Sequence, residues 1–320
     1  MRIKTEYEIH FELQKPTPIV SMLRLHPSWD ERVVGQEQHI ARIAGEAEPL
    51  AFDEYIDSYG NRCARFVAPE GVLELRGSAV VKADETPDPQ GEGLPLTPIE
   101  SLPHDTLRYL VPSRYCEVDR FGAIALDLFG HIEPGWALAA QIRDWVHWKV
   151  AFNYQMARAT KTAMDVYTER VGVCRDYQHL AITLSRAMNL PARYVTGYLG
   201  DIRVPYSGPG DFSAWYQVWL GGRWWDMDSR HNEPRLGRTL MAVGRDAADV
   251  AMTTSFGNAD LKKFVVNAYE IDAAGKPAPL PLPPMMMPGQ LAVPAPVETK
   301  AVSPKRKPVK AAARAKRNGA

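Results

Sequence analysis

The sequence contains no run of eighteen consecutive apolar residues, so no segment reads as a membrane-spanning helix. Its first residues, Met1 to Tyr7, alternate polar and apolar and lack the apolar stretch of a secretory leader, so the expected location is the cytoplasm. Cysteine is scarce. The three present, Cys63, Cys116 and Cys174, are widely spaced with no CxxC pair, which argues against a disulfide framework or a zinc ribbon and leaves three free thiols. There is no P-loop, no GxGxxG turn, no HExxH helix and no GxSxG elbow, which sets aside the enzyme classes built on them. No metal-ligand spacing and no acidic calcium loop is present, so no metal and no cofactor are expected. Net charge is also absent, with 38 bases against 38 acids, but the balance is uneven. From Lys300 onward come eight Lys or Arg and no acid, so a mildly acidic body carries a basic tail.

What is present is a chain of 320 residues, 45% hydrophobic and 24% charged, long enough for two domains with real cores. Residues 1–82 read as β: Tyr7 to Phe11 and Ile19 to Leu25 alternate, and Cys63 to Val67, Val72 to Leu75 and Ser78 to Lys82 follow, punctuated by Gly60-Asn61 and Gly71. Short strands at this spacing suggest a sandwich or barrel. Residues 83–106, rich in Pro, Asp and Gly, read as a linker, which sets the first domain at 1–106. The next domain spans 107–273. Its helices are expected from near Pro134 to Val150, from Ala163 to Arg170, and from Cys174 to the stop at Asn189 and Pro191. Strands follow at Ala192–Leu199, Ser213–Leu220 and Arg223–Ser229, the last two joined by a Gly221-Gly222 hairpin, and a final strand fits Lys263–Ile271. Residues 274–320, dominated by proline and then by Ala, Lys and Arg, read as a disordered tail able to meet an acidic partner, although a solubilising role is the plainer reading.

One segment carries chemistry. In Gly172-Val173-Cys174-Arg175-Asp176-Tyr177-Gln178, the glycine permits a turn and the cysteine opens a helix, where free N–H groups favour an anion. A thiolate is an anion, so the Cys174 pKa is expected to fall. The plainer reading is a small apolar residue packed at a helix start.

That segment resembles the G-x-C-x-[DE]-[FY] signature of the transglutaminase-like superfamily. Phe212-Ser213-Ala214-Trp215 is similar to the family's H-A-W strand, with Ser213 at the histidine position, and Trp225-Asp226-Met227-Asp228 to its aspartate strand, with Asp228 as the triad acid. The resemblance implies an α+β fold: a papain-like core of helices on an antiparallel sheet, preceded by a β domain. It implies a Cys174 thioester made from an amide, resolved by water (protease or amidase) or by an amine (acyltransferase), on a peptide or protein substrate. Serine cannot replace the histidine as base. His179, five residues after Cys174, is rotated to another face of the helix. His231 is a substitute base only if the aspartate strand ends or bulges near Ser229; with Leu220 paired to Arg223, strict alternation turns it away. His147 cannot be placed. Two alternatives stand beside the enzyme: a catalytically inactive fold that binds a peptide or protein partner, and an oxidant-sensing thiol. Tyr177, Gln178, Trp215 and Arg245 are candidate substrate contacts, with core packing and a structural ion pair as the plainer readings of Trp215 and Arg245. Gly200 to Asp211 is a candidate cleft wall. Oligomeric state is not readable.

Overall fold

A computed structural model of the chain describes residues 1–204 and 210–278. The expected disordered basic tail beyond residue 278, and the middle of the candidate wall loop, lie outside the described residues.

The alternating start of the chain forms one long strand, β1 (Arg2–Leu13), with Ile3, Thr5, Tyr7 and Ile9 facing inward. It is followed by β2 (Thr17–Ser21), β3 (Gln38–Ile43), β4 (Asp53–Ile56), β5 (Arg62–Ala68) and β6 (Gly71–Lys82). The second half then supplies α1 (Gly122–Phe129), α2 (Trp136–Lys149), β7 (Ala151–Phe152), α3 (Ala163–Glu169), β8 (Val171–Gly172) and α4 (Cys174–Ala187). The remaining strands are β9 (Ala192–Tyr198), β10 (Phe212–Leu220), β11 (Arg223–Met227), β12 (Thr239–Gly244), β13 (Thr253–Ser255) and β14 (Asp260–Ile271).

Two antiparallel sheets, β14-β1-β6-β3 and β13-β2-β5-β4, close over one hydrophobic core. Ile3 and Ile9 of β1 and Leu73 and Leu75 of β6 meet Ile19 of β2 and Phe66 of β5 there, so the N-terminal region is a sandwich. A third antiparallel sheet, β11-β10-β9-β12, carries α4 against it, and α1, α2 and α3 pack around that helix. The whole is an α+β fold. The halves on either side of residue 106 are not independent cores: Tyr198, Phe212 and Met241 of the third sheet join the sandwich cluster. The last strand also crosses between them. It lies within the expected 107–273 domain by sequence, yet β14 pairs with β1 from Arg2↔Ile271 to Glu12↔Asp260 and so completes the first sheet.

Helix α4 is nearly enclosed. Besides its expected apolar stripe, Asp176, Gln178, His179, Thr183, Ser185 and Arg186 are buried. A buried polar group without a partner costs roughly 1–3 kcal/mol, so each needs an answer. Thr183 and Ser185 donate to the carbonyls of His179 and Ala181, at 2.7 and 2.8 Å. Arg186 donates to the carbonyls of Ala192, Val111 and Arg245. The segment read as a linker proves to be a strap. Asp88 donates its N–H to the Arg235 carbonyl (3.0 Å) and accepts from the Arg235 N–H (2.9 Å) and Arg238 Nε (2.8 Å). No helix among the described residues is long and apolar enough to cross a membrane.

Candidate active site

Local sequence fixes the start of α4. After α3 the chain reverses at Arg170, in the left-handed region at φ 59°, and β8 runs parallel to β7. At Gly172 a Cβ would lie 2.6 Å from the Asp176 Cβ, so only glycine leaves room for that side chain. Asp176 folds back over the helix start and accepts the Val173 N–H at 3.0 Å. Its other oxygen takes Arg175 Nε and Nη2 at 3.1 and 3.0 Å. Cys174 is thus the first residue of a clamped helix, partly exposed where Cys63 and Cys116 are buried.

The expected fall in thiol pKa does not occur. Burial pushes the Cys174 thiol up; Asp211 adds to this, and Arg230 with the N–H groups of Ala214 and Arg175 only partly offsets it. One side of the residue meets the cleft, and the other packs against the hydrophobic core. The positive end of the helix is also shared, because the Asp176 carboxylate already occupies it. Attack on a carbonyl therefore needs a base that removes the thiol proton.

The hairpin supplies a candidate. β10 and β11 pair as the Gly-Gly turn requires, from Leu220↔Arg223 to Tyr216↔Met227, and there the pairing stops. Asp228 leaves the strand and turns the chain: its Oδ1 accepts the N–H groups of Arg230 (2.9 Å) and His231 (3.2 Å), and Asn232 closes the turn at φ 56° with its N–H on the Asp228 carbonyl. Strict strand alternation thus fails one residue before it would have carried Asp228 opposite Trp215. His231 swings back, with Nδ1 at 2.8 Å from Asp228 Oδ2. Because an ionised carboxylate only accepts, Nδ1 carries the proton and Nε2 is left as the basic nitrogen.

Asp228 is held ionised. Burial alone would raise its carboxyl; Arg238, whose Nη2 lies 3.2 Å from Oδ2, and then His231 outweigh burial and keep it well below the usual carboxylate range. Gln178 Nε2 donates to Asp228 Oδ1 at 3.2 Å, and its Oε1 accepts the Ser229 hydroxyl at 3.0 Å. From α2, His147 Nδ1 donates to the carbonyls of Ser229 (3.2 Å) and Arg230 (3.0 Å) and pins the same turn.

Cys174, Ser213 and His231 line one cleft of about 420 Å³, together with Tyr154, Asp211 and Arg230. Gly200, Asp201, Gly210 and Asp211 form one wall; Val266 to Tyr269 of β14, with Pro277 and Ala278, form another. The wall loop presses close, since a Cβ on Gly200 or Gly210 would lie 1.9 or 2.0 Å from a β14 carbonyl oxygen.

The four expected substrate contacts lie elsewhere. Gln178 is wholly buried and braces Asp228. Tyr177 is buried and donates to the Val150 carbonyl. Trp215 packs with Val195, Leu240 and Val243, its Nε1 on Asp226 at 2.7 Å. Arg245 pairs with Asp249 at 2.9 Å. None of the four lines the cleft. His179 is buried, accepts the Ala247 N–H at 3.1 Å and stacks on Tyr115. Burial, then Arg175 and Arg186, hold its ring well below the ordinary histidine value. Sequence reasoning missed Arg230, Tyr154 and the Arg238–Asp88 pair, while Asp211 lies in the expected wall loop. Only Arg230 carried a local signal, as the neighbour of His231 in a turn-forming run. Among the described residues, no three His, Cys, Asp or Glu gather as a metal site would require.

The transglutaminase-like superfamily model matches residues 123–229. An uncharacterized protein of Mycobacterium leprae is 31% identical over 208 residues, 62% of this chain and 73% of that protein. A crystal structure from Cytophaga hutchinsonii, of a protein proposed to be a cysteine protease, is 31% identical, with a TM-score of 0.73 over 87% of this chain and 93% of that one.

Proposed function

Because the chain belongs to the transglutaminase-like superfamily, we propose that it is a cysteine enzyme acting on amide bonds through a Cys174 thioester, with His231 in the role the family gives to the residue at the Ser213 position. One observation carries this reading: a histidine oriented by a buried, ionised aspartate opens on the same cleft as the cysteine. His231 Nε2 takes the thiol proton as sulfur bonds to the substrate carbonyl carbon. The C–N bond then breaks, and the same proton passes to the departing amine. Water or a second amine, deprotonated by His231, attacks the thioester and returns the thiol. Asp228 keeps the ring in the required tautomer and stabilises the imidazolium, as the third member of such arrangements does.

The test is acylation. Incubation with 4-nitrophenyl acetate and with glutamine-containing peptides is expected to add one acyl group to the protein by mass spectrometry. The adduct should vanish in Cys174→Ala and form about a hundredfold more slowly in His231→Ala. Equal acylation of wild type and His231→Ala rejects the assigned base. Absence of any adduct favours the second reading, a binding protein on the same fold, which the raised thiol pKa supports.

A further inference from the structure

Among the described residues, Arg230 is the arginine of the cleft lining that makes no ion pair within 4.0 Å. Arg235, the other arginine there, donates to the Gly200 carbonyl at 3.2 Å and stands 3.7 Å from Asp201. Around the site, Arg175 pairs with Asp176, Arg238 with Asp228 and Asp88, and Arg203 with Glu270. For Arg230, no carboxylate among the described residues comes within 4.0 Å; Asp211, which shares the cleft, acts on it only at longer range. Its position is nevertheless fixed. The backbone N–H is held by Asp228 Oδ1 (2.9 Å), the carbonyl by His147 (3.0 Å), and the guanidinium lies 4.2 Å over the Phe152 ring. A guanidinium stacked on an aromatic ring keeps its edge free, and that edge matches a carboxylate in a two-point contact. Arg230 and Cys174 line the same cleft, so the guanidinium charge lies beside the position a reacting amide would take.

We infer that Arg230 determines the specificity of this cleft by binding a carboxylate that the substrate carries next to the amide attacked by Cys174. The inference rests on the reading of the cleft as an acyl-transfer site. The carboxylate belongs either to an acidic side chain or to the free C-terminus of a peptide; the guanidinium sees the same group in both. An ordered cation spared from internal pairing loses little on binding, so one charge-assisted contact is expected to be worth about tenfold or more in affinity.

The test uses binding, so that it survives a failure of the catalytic reading. Cys174→Ala protein of the full chain is titrated with four fluorescein-labelled octapeptides of alanine and glutamine. These carry one central glutamate or its glutamine isostere, each with a free or an amidated C-terminus. Tighter binding of the glutamate peptide by about tenfold or more identifies a side-chain carboxylate, and tighter binding of the free-acid form identifies a C-terminal one. Either preference should fall to within about twofold in Cys174→Ala/Arg230→Gln and return in part with Arg230→Lys. Equal binding of all four peptides by the Arg230 protein overturns the inference without recourse to any variant, as does a preference that survives Arg230→Gln. If the preference holds but none of these peptides acylates the wild-type protein, the catalytic reading fails alone.

Discussion

At the residue scale, the site turns on the exchange of one side chain for another. If His231 is the base, Ser213→Ala is expected to keep acylation within about tenfold of wild type, while His231→Ala loses about a hundredfold or more. Initial rates on 4-nitrophenyl acetate check both; the reverse order would return the decisive role to position 213. The thiol makes a second prediction. With its pKa raised by burial, Cys174 has less thiolate at neutral pH than an ordinary thiol, so its iodoacetamide labelling should reach half-maximal rate above about pH 8.5. A midpoint well below that value would show the helix start prevailing after all. Asp228 supplies the third. Its carboxyl titrates lower in the folded protein than in the unfolded chain, where the value is about 3.9. Its stabilisation is therefore present above that pH and is lost as pH falls through the folded value. Asp228→Asn, which strips a buried carboxylate from Arg238 and His231, should cost roughly 3 kcal/mol near neutrality by urea unfolding. The gap should narrow toward pH 3; a pH-independent gap would mean that the charge is not what stabilises.

At the element scale, the part of the sequence with periodic signals was legible. The three helices near the site and the Gly-Gly hairpin register follow from apolar spacing and turn chemistry alone. What escaped did so for physical reasons. β6 reads as two runs because Gly77 interrupts it, yet the strand continues, since a Cβ there would lie 2.4 Å from the Tyr7 ring. β12 is buried at every position and so shows no alternation to read. The early end of β11 was announced by Asp228, Ser229 and Asn232, residues that prefer turns, but the alternation carried through them hid it, and with it the orientation of His231. Gln178 shares the cysteine's face of α4, as expected, but that face looks into the protein one turn along, where the amide braces Asp228. Gly172 permits a direct check on this scale. Gly172→Ala should push Asp176 off the helix start and cost about 1–3 kcal/mol, with Cys174 labelling altered in parallel. An unchanged melting temperature would show that the clamp is dispensable.

At the scale of the molecule, pairings between distant parts of the chain were not legible at all, because a strand's own pattern says which face is buried and nothing about which partner lies beside it. β14 is the case in point. The strand itself was legible, but its partner, β1, lies at the other end of the described chain. Asp88 is the same lesson in a segment without regular structure: nothing local marks it as the residue that anchors the Arg238 side of the site. Ending the chain after Ala259 should leave β1 with an open edge and expose the sandwich core to the dye ANS. Such a protein is expected to self-associate by size-exclusion chromatography; a monomer with native unfolding behaviour would contradict the structural role assigned to the strand.

The return of β14 also sets an order of events during synthesis. Cys174 and His231 leave the ribosome before the strand that walls their cleft, and that strand pairs with β1, made far earlier. A growing chain thus holds these two side chains in a cleft without its β14 wall until β1 and β14 have paired. Completion of the cleft and completion of the sandwich arrive together.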